Sequence, residues 1–206
     1  MPHRRPLLLG AVASATLFLA STALMVLTGL GPTPLDRWWA SVVLSARSPA
    51  LTTVQTVVSD LGGGVVGAVL VPTAVLLGML LARLRREPVV LVVALLGSAA
   101  TVQVVKHLVA RPRPADQLVA SDFGSFPSGH VANAATLAVL LVLLLRRRRL
   151  VAVAALWTGA MAFSRTYLQV HWLTDTLAGA ALGTAVALLS VLVAERVRPA
   201  GDAATP

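Results

Sequence analysis

No cysteine occurs in the 206 residues, which excludes both a disulfide scaffold and a thiolate metal site. Charge is scarce as well: Asp, Glu, Lys and Arg together make up 12% of the chain, about half the share in an ordinary soluble domain. Acidic residues number eight, and of the seventeen Lys and Arg only Lys106 is a lysine. Aromatic residues are 4%. Hydrophobic residues fill the space that remains, at 57%, with a mean hydropathy of +0.83. That density excludes a disordered chain. In a soluble domain of this length it would coat the surface as well as fill the core. A bundle of membrane helices of roughly 20 residues each fits better.

The formal net charge is nonetheless +9, with a pI near 11.8. In a soluble protein such a balance points to nucleic acid. Here the arginines cluster between apolar runs, the pattern of topology signals, so no nucleic-acid partner is expected. Six apolar stretches predict an all-α, six-transmembrane helical bundle forming one domain over residues 1–206. They run from about 7 to 30, 62 to 82, 88 to 108, 129 to 145, 150 to 164 and 172 to 194. The first follows His3-Arg4-Arg5, but its apolar run exceeds a secretory core of roughly 7–15 residues, so it reads as a retained anchor. Residues 32–49, with Trp38 and Trp39, read as a short interfacial helix or an aromatic-belt loop. Asp60 to Gly64 reads as a turn or flexible helix entry.

Six spans place Arg4, Arg5, Arg83, Arg85, Arg86, Arg146 to Arg149, Arg196 and Arg198 on one side. The positive-inside rule makes that side the cytoplasm, with both termini in it. Three polar patches at span ends then share the opposite, outer side. These are Lys106 to Pro114, Phe126 to His130, and Ser164 to Asp175.

Their residue types suit phosphoryl transfer, which is largely positioning and charge stabilisation. Lys106, Arg113 and Arg165 supply three cations, and arginine matches two phosphate oxygens at once. Ser128 and Gly129 stand where a helix begins, with free amides and the positive end of its dipole. His171 and Asp175 are four residues apart and share a helix face, so the carboxylate can hold one imidazole nitrogen protonated while the other attacks. His130 can protonate a leaving oxygen. Taken singly, each feature has a plainer reading: a snorkelling lysine, a turn with a helix cap, a structural His–Asp pair. Their common sidedness favours the chemical one. His107 has no matching role, and Gly179 and Gly183 carry the spacing of helix packing.

Lys106-x6-Arg113-Pro114, Pro127-Ser128-Gly129-His130 and Ser164-Arg165-x5-His171-x3-Asp175 resemble the tripartite signature of the type 2 phosphatidic acid phosphatase (PAP2) superfamily, which also holds vanadium haloperoxidases. The signature region is 106–175. Arg111-Pro112 offers a second register, but only Arg113 has the family spacing from Lys106; Arg37, Arg47 and Arg111 keep no assigned role. The resemblance implies a haloperoxidase-like helical core and a nucleophilic His171 oriented by Asp175, with His130 as acid and then base. It also implies a phosphate held by Lys106, Arg113, Ser128, Gly129 and Arg165. No metal or other cofactor is implied. The implied partners are membrane lipids and a lipid phosphate substrate: undecaprenyl diphosphate, which leads because an outward site suits a carrier lipid released outside, phosphatidic acid or phosphatidylglycerol phosphate. A lipid phosphotransferase, or a transporter or lipid-binding protein without turnover, are the alternative readings.

Overall fold

The computed structural model describes residues 4–147 and 149–197. Arg148, Arg198 and the tail after it, all included in the topology reading, lie outside the described residues, as does His3. Helix α1 spans Arg4–Leu27 and α2 Pro34–Ser45. Helix α2 starts on a reciprocal cap: the Thr33 hydroxyl accepts from the Asp36 amide, the Asp36 carboxylate accepts from the Thr33 amide, and Pro34 fills the first turn. Of the two readings of residues 32–49, a short helix or a loop, the helix is the one present.

Helix α3 spans Pro49–Gly62, then a π-helical turn at Val66–Leu70 leads into α4, Val71–Leu81. A span beginning at residue 62 was expected; the helical stretch instead begins at Pro49 and runs 33 residues. Its first half is rich in Thr, Gln and Ser, which reads as loop. Those residues are accommodated because Thr53 and Thr56 donate back to the carbonyls of Pro49 and Thr52, while Gln55 and Ser59 turn inward and are buried. The glycine run is the break in the middle of this stretch. Gly64 has φ +53°, in the left-handed region that favours glycine.

Helix α5 spans Glu87–Val109, α6 Gly129–Leu144, α7 Leu150–Tyr167 and α8 Leu173–Arg196. No strand occurs among the described residues. Four stretches are long and apolar enough to cross a membrane: α1, α3 through α4, α5 and α8; α6 is apolar but shorter. Helix α7 has 18 residues and carries Arg165 in its last turn. Helices α6 and α7 form the expected hairpin across the arginine cluster.

Helix α8 is the central element, packed by α1, α5 and α6. Its Gly179 and Gly183 allow that approach: a Cβ at Gly179 would meet the Ser128 carbonyl oxygen at 2.5 Å, and one at Gly183 would strike the Ala132 carbonyl. Between apolar helices in lipid, such close van der Waals contact drives association. The outward faces stay apolar, with Leu9, Leu19 and Leu27 of α1 61%, 63% and 84% exposed. This is a multi-pass membrane fold. The start of α1, the start of α5, the end of α6 and the end of α8 converge around one cavity lined by Pro6, Arg86, Leu144, Arg146 and Glu195. Arg4 lies 3.8 Å from Glu195 at that end, so several arginine clusters share one end of the bundle, as expected.

Candidate active site

The opposite end of the bundle gathers the three patches. Lys106 arrives on the last turn of α5, and the chain then leaves through Ala110 in the left-handed conformation. The 110–128 loop brings Arg113 back over the end of α5. Ser128 precedes the first turn of α6, which carries Gly129 and His130. Arg165 ends α7, His171 lies between α7 and α8, and Asp175 sits in the first turn of α8. All eight residues of the expected site therefore come to one end of the bundle.

Lys106, Gly129, His130 and His171 line a cavity of about 280 Å³. Its lining also takes apolar residues from α4 (Pro72) and α5 (Leu95, Leu96, Ala99 and Val102), with Ser98, Gln103 and Asn133 beside them. His130 fits because of Gly63. A Cβ at that position would collide with the His130 imidazole, so the helix break provides the space that the histidine occupies.

His171 is buried, with 2% exposure. Its Nδ1 lies 2.6 Å from the carbonyl oxygen of Ser125. A carbonyl only accepts, so Nδ1 carries the proton and Nε2 carries the lone pair. Nε2 in turn lies 3.4 Å from Arg113 Nη1. Asp175 was the expected partner of Nδ1, but its Oδ2 is 3.6 Å away, outside hydrogen-bond range. The direct orienting group is the Ser125 carbonyl, which no side-chain pattern could signal. Burial, reinforced by the charges of Arg113, Arg165 and Lys106, holds the imidazole well below the ordinary histidine value. The ring is neutral near pH 7, as a nucleophile requires.

Within the site, two buried donors lack a hydrogen-bond partner among the described residues, Ser128 Oγ and Arg165 Nε; Arg4 Nη2 and Arg47 Nε, away from it, are the others. Arg165 Nη1 donates to the Ser59 hydroxyl, so the side chain is anchored while Nε stays uncommitted. Lys106 and Arg113 are occupied by Asp122. Its Oδ1 and Oδ2 lie 2.7 and 2.8 Å from Lys106 Nζ, and Oδ1 lies 2.6 Å from Arg113 Nη2. Burial would raise the Asp122 carboxyl, but these cations hold it below the ordinary carboxylate value.

Arg111 was left without a role, and the structure gives it the deepest position among the described arginines, at 1% exposure. It donates to Asp175 Oδ1 through Nη1, to Asp36 Oδ2 at 2.8 Å and to the Gly31 carbonyl at 3.0 Å. His107 points away from the cavity, its Nδ1 2.8 Å from the Gln103 carbonyl. Arg47 donates to the Asp116 carbonyl at 3.1 Å. Among the described residues, no group of three or more His, Asp or Glu is placed to hold a metal ion.

Residues 87–199, more than half of the chain, match the PAP2 superfamily. The lipid A 4'-phosphatase of Bacteroides thetaiotaomicron is 35% identical over 81 residues, 39% of this chain and 36% of that protein. The likeness thus spans about a third of that relative. Phosphatidylglycerophosphatase B of Bacillus subtilis is 31% identical over 149 residues, 66% of this chain and 72% of its own length. The crystal structure of a transmembrane PAP2 type phosphatidylglycerolphosphate phosphatase from Bacillus subtilis superposes with a TM-score of 0.79 at 25% identity, covering 92% of this chain and 98% of that one. The LpxE structure from Aquifex aeolicus gives 0.68 at 25% identity, covering 77% and 96%. With the family match over most of the described core and the fold shared nearly end to end, this chain belongs to the PAP2 superfamily.

Proposed function

We propose that the protein is a metal-independent membrane lipid phosphatase that works through a phosphohistidine, with its site on the extracytoplasmic side. The observation that carries this reading is the two orphaned buried donors of the site, Ser128 Oγ and Arg165 Nε, beside a histidine whose unprotonated Nε2 meets the Arg113 guanidinium at 3.4 Å. Such donors are costly to leave without an acceptor, and a phosphate supplies acceptors to both.

In the proposed reaction the phosphate replaces Asp122 on Lys106 and Arg113 and accepts from Ser128, Arg165 and the opening amides of α6. The His171 Nε2 lone pair forms a bond to phosphorus. The bond from phosphorus to the lipid oxygen breaks with its electrons going to that oxygen, which takes a proton from His130. His130 then accepts a proton from water as the water attacks phosphorus, and the N–P bond breaks to release inorganic phosphate and restore His171. The apolar residues that α4 and α5 contribute to the lining suit a lipid chain. Phosphatidylglycerol phosphate leads the candidate substrates, because the relative bearing that activity is matched over 72% of its length. Undecaprenyl diphosphate and phosphatidic acid remain in the comparison. The arginines gathered at the opposite end of the bundle support cytoplasmic termini and an outward site.

Purified protein in detergent with EDTA is expected to release phosphate from at least one of these lipids, and orthovanadate, which adopts five-coordinate geometry, is expected to inhibit. Absence of release from all three would overturn the phosphatase reading. Transfer of the phosphoryl group to an added alcohol in place of release would assign a phosphotransferase. Activity only after metal is restored would overturn metal independence.

A further inference from the structure

The Arg111 guanidinium stands between two carboxylates whose side chains, like its own, are wholly buried. It takes no part in the phosphate site. A guanidinium this deep is stable only when its charge and its donors are matched, and each of its nitrogens has a partner: Leu30 and Gly31 carbonyls, Thr174, Asp36 and Asp175. The anchoring extends outward from Asp36, whose Oδ1 accepts from the Thr174 amide at 2.9 Å and whose Oδ2 accepts from the Thr33 amide at 3.0 Å.

We infer that Asp36 and Arg111 are positioning residues, a buried strut that acts on His171 through Asp175. Arg111 pins Oδ1 of Asp175, and the Trp172 amide, at 2.8 Å, pins Oδ2. With both oxygens fixed, the edge of the carboxylate that faces His171 Nδ1 at 3.6 Å cannot rotate away. Asp36 adds a charge effect. Two carboxylates around one guanidinium leave one net negative charge in the triad. Without Asp36, Arg111 would neutralise Asp175 entirely. The His171 ring becomes cationic as Nε2 bonds to phosphorus, and a net negative triad stabilises that ring while a neutral one does not. Burial alone would raise the Asp36 carboxyl, but amide bonds from Thr174 and Thr33 and the Arg111 cation hold it below the ordinary carboxylate value.

This inference rests on the reading of His171 as nucleophile, and its test separates the two. Arg111→Met alone strands two buried carboxylates and risks misfolding. Asp36→Asn keeps the shape and loses the charge together with one of the two acceptor oxygens, a smaller change than stranding two carboxylates, so it is the primary variant. The double variant Asp36→Asn with Arg111→Met leaves Asp175 charged and held only by the Trp172 amide. In detergent, on whichever lipid the wild type cleaves, Asp36→Asn is expected to lower kcat about tenfold or more with KM and vanadate affinity nearly unchanged. The double variant is expected to lose kcat by less than the product of the single losses. The 15N resonances of the His171 ring give a readout that needs no turnover. Wild type is expected to show the Nδ1-protonated tautomer, and Asp36→Asn a shifted ring signal. A wild type that cleaves none of the lipids sinks the phosphatase reading and leaves the ring shift to decide the strut. A folded Asp36→Asn protein with wild-type kcat, an effect confined to KM, or an unmoved ring signal would overturn the strut.

Discussion

Asp122 grips the chain's single lysine, Lys106, with both carboxylate oxygens, at 2.7 and 2.8 Å. The same carboxylate reaches Arg113 Nη2 at 2.6 Å. It therefore stands where a phosphate would meet two of its three cations, and substrate must displace it. Asp122 is 55% exposed at its side chain, so water competes for these ion pairs and the displacement costs little. Asp122→Asn is expected to lower KM for a lipid phosphate and the inhibition constant of orthovanadate several-fold, each 1.4 kcal/mol being worth about tenfold. A raised KM would show instead that Asp122 orients Lys106 and Arg113 for the substrate.

Gly63 gives a test of His130 from outside the signature. The glycine has φ −145°, which alanine can adopt, so Gly63→Ala acts through contact and not through backbone strain. The added methyl collides with the His130 ring, and the ring is the movable partner. General acid catalysis contributes roughly 100- to 10,000-fold, and a displaced acid forfeits part of it. A kcat loss of at least about tenfold with phosphate affinity retained is expected from steady-state rates and vanadate titration. Wild-type kcat would show that His130 is not the proton donor.

The signature was legible because phosphate chemistry demands particular residue types at particular offsets, and Lys106, Arg113, His130, Arg165 and His171 all stand at the site end of the bundle as expected. The groups that tune them were not legible. Arg111 and Asp36 are 75 positions apart, and nothing in a local pattern announces that they meet. The Ser125 carbonyl is backbone, invisible to any reading of side chains. Asp122 lies in a loop whose path is set by tertiary contacts. The first half of the α3–α4 stretch is polar partly because its inward-facing Ser59 serves α7, where its hydroxyl accepts from Arg165.

Gly179 links helix packing to the anion site. Its missing side chain lets α8 rest against the Ser128 carbonyl, and the Ser128 amide in turn donates to the Asp175 carbonyl at 3.0 Å. Gly179→Ala forces backbone apart where no flexible side chain can yield. Overpacking of this kind costs about 1–3 kcal/mol, so a lower thermal midpoint is expected. Because the shift falls on Ser128 and the start of α6, orthovanadate affinity is expected to fall as well. A lower midpoint with unchanged vanadate affinity would separate the packing role of Gly179 from the anion site.

Acid sensitivity follows from the buried His171. Its folded value lies well below the 6.5 of an exposed histidine, through burial first and then Arg113, Arg165 and Lys106. Below about pH 6.5 the unfolded chain binds a proton that the folded chain refuses. Stability therefore falls as pH drops from that point toward the folded value, by at most about 1.4 kcal/mol per pH unit from this residue. The lowered carboxyls of Asp36 and Asp122 act in the same direction, but only near and below their ordinary value of 3.8. Between pH 6.5 and 4.5 the slope contributed by His171 is thus separable from theirs. Thermal midpoints of wild type and His171→Asn across that window test it, with a shallower slope expected for the variant. Saturating phosphate is expected to flatten the wild-type slope too, since an anion against the ring offsets the three cations. Parallel slopes for the two proteins would mean that His171 is no more shielded from protons when folded than when unfolded.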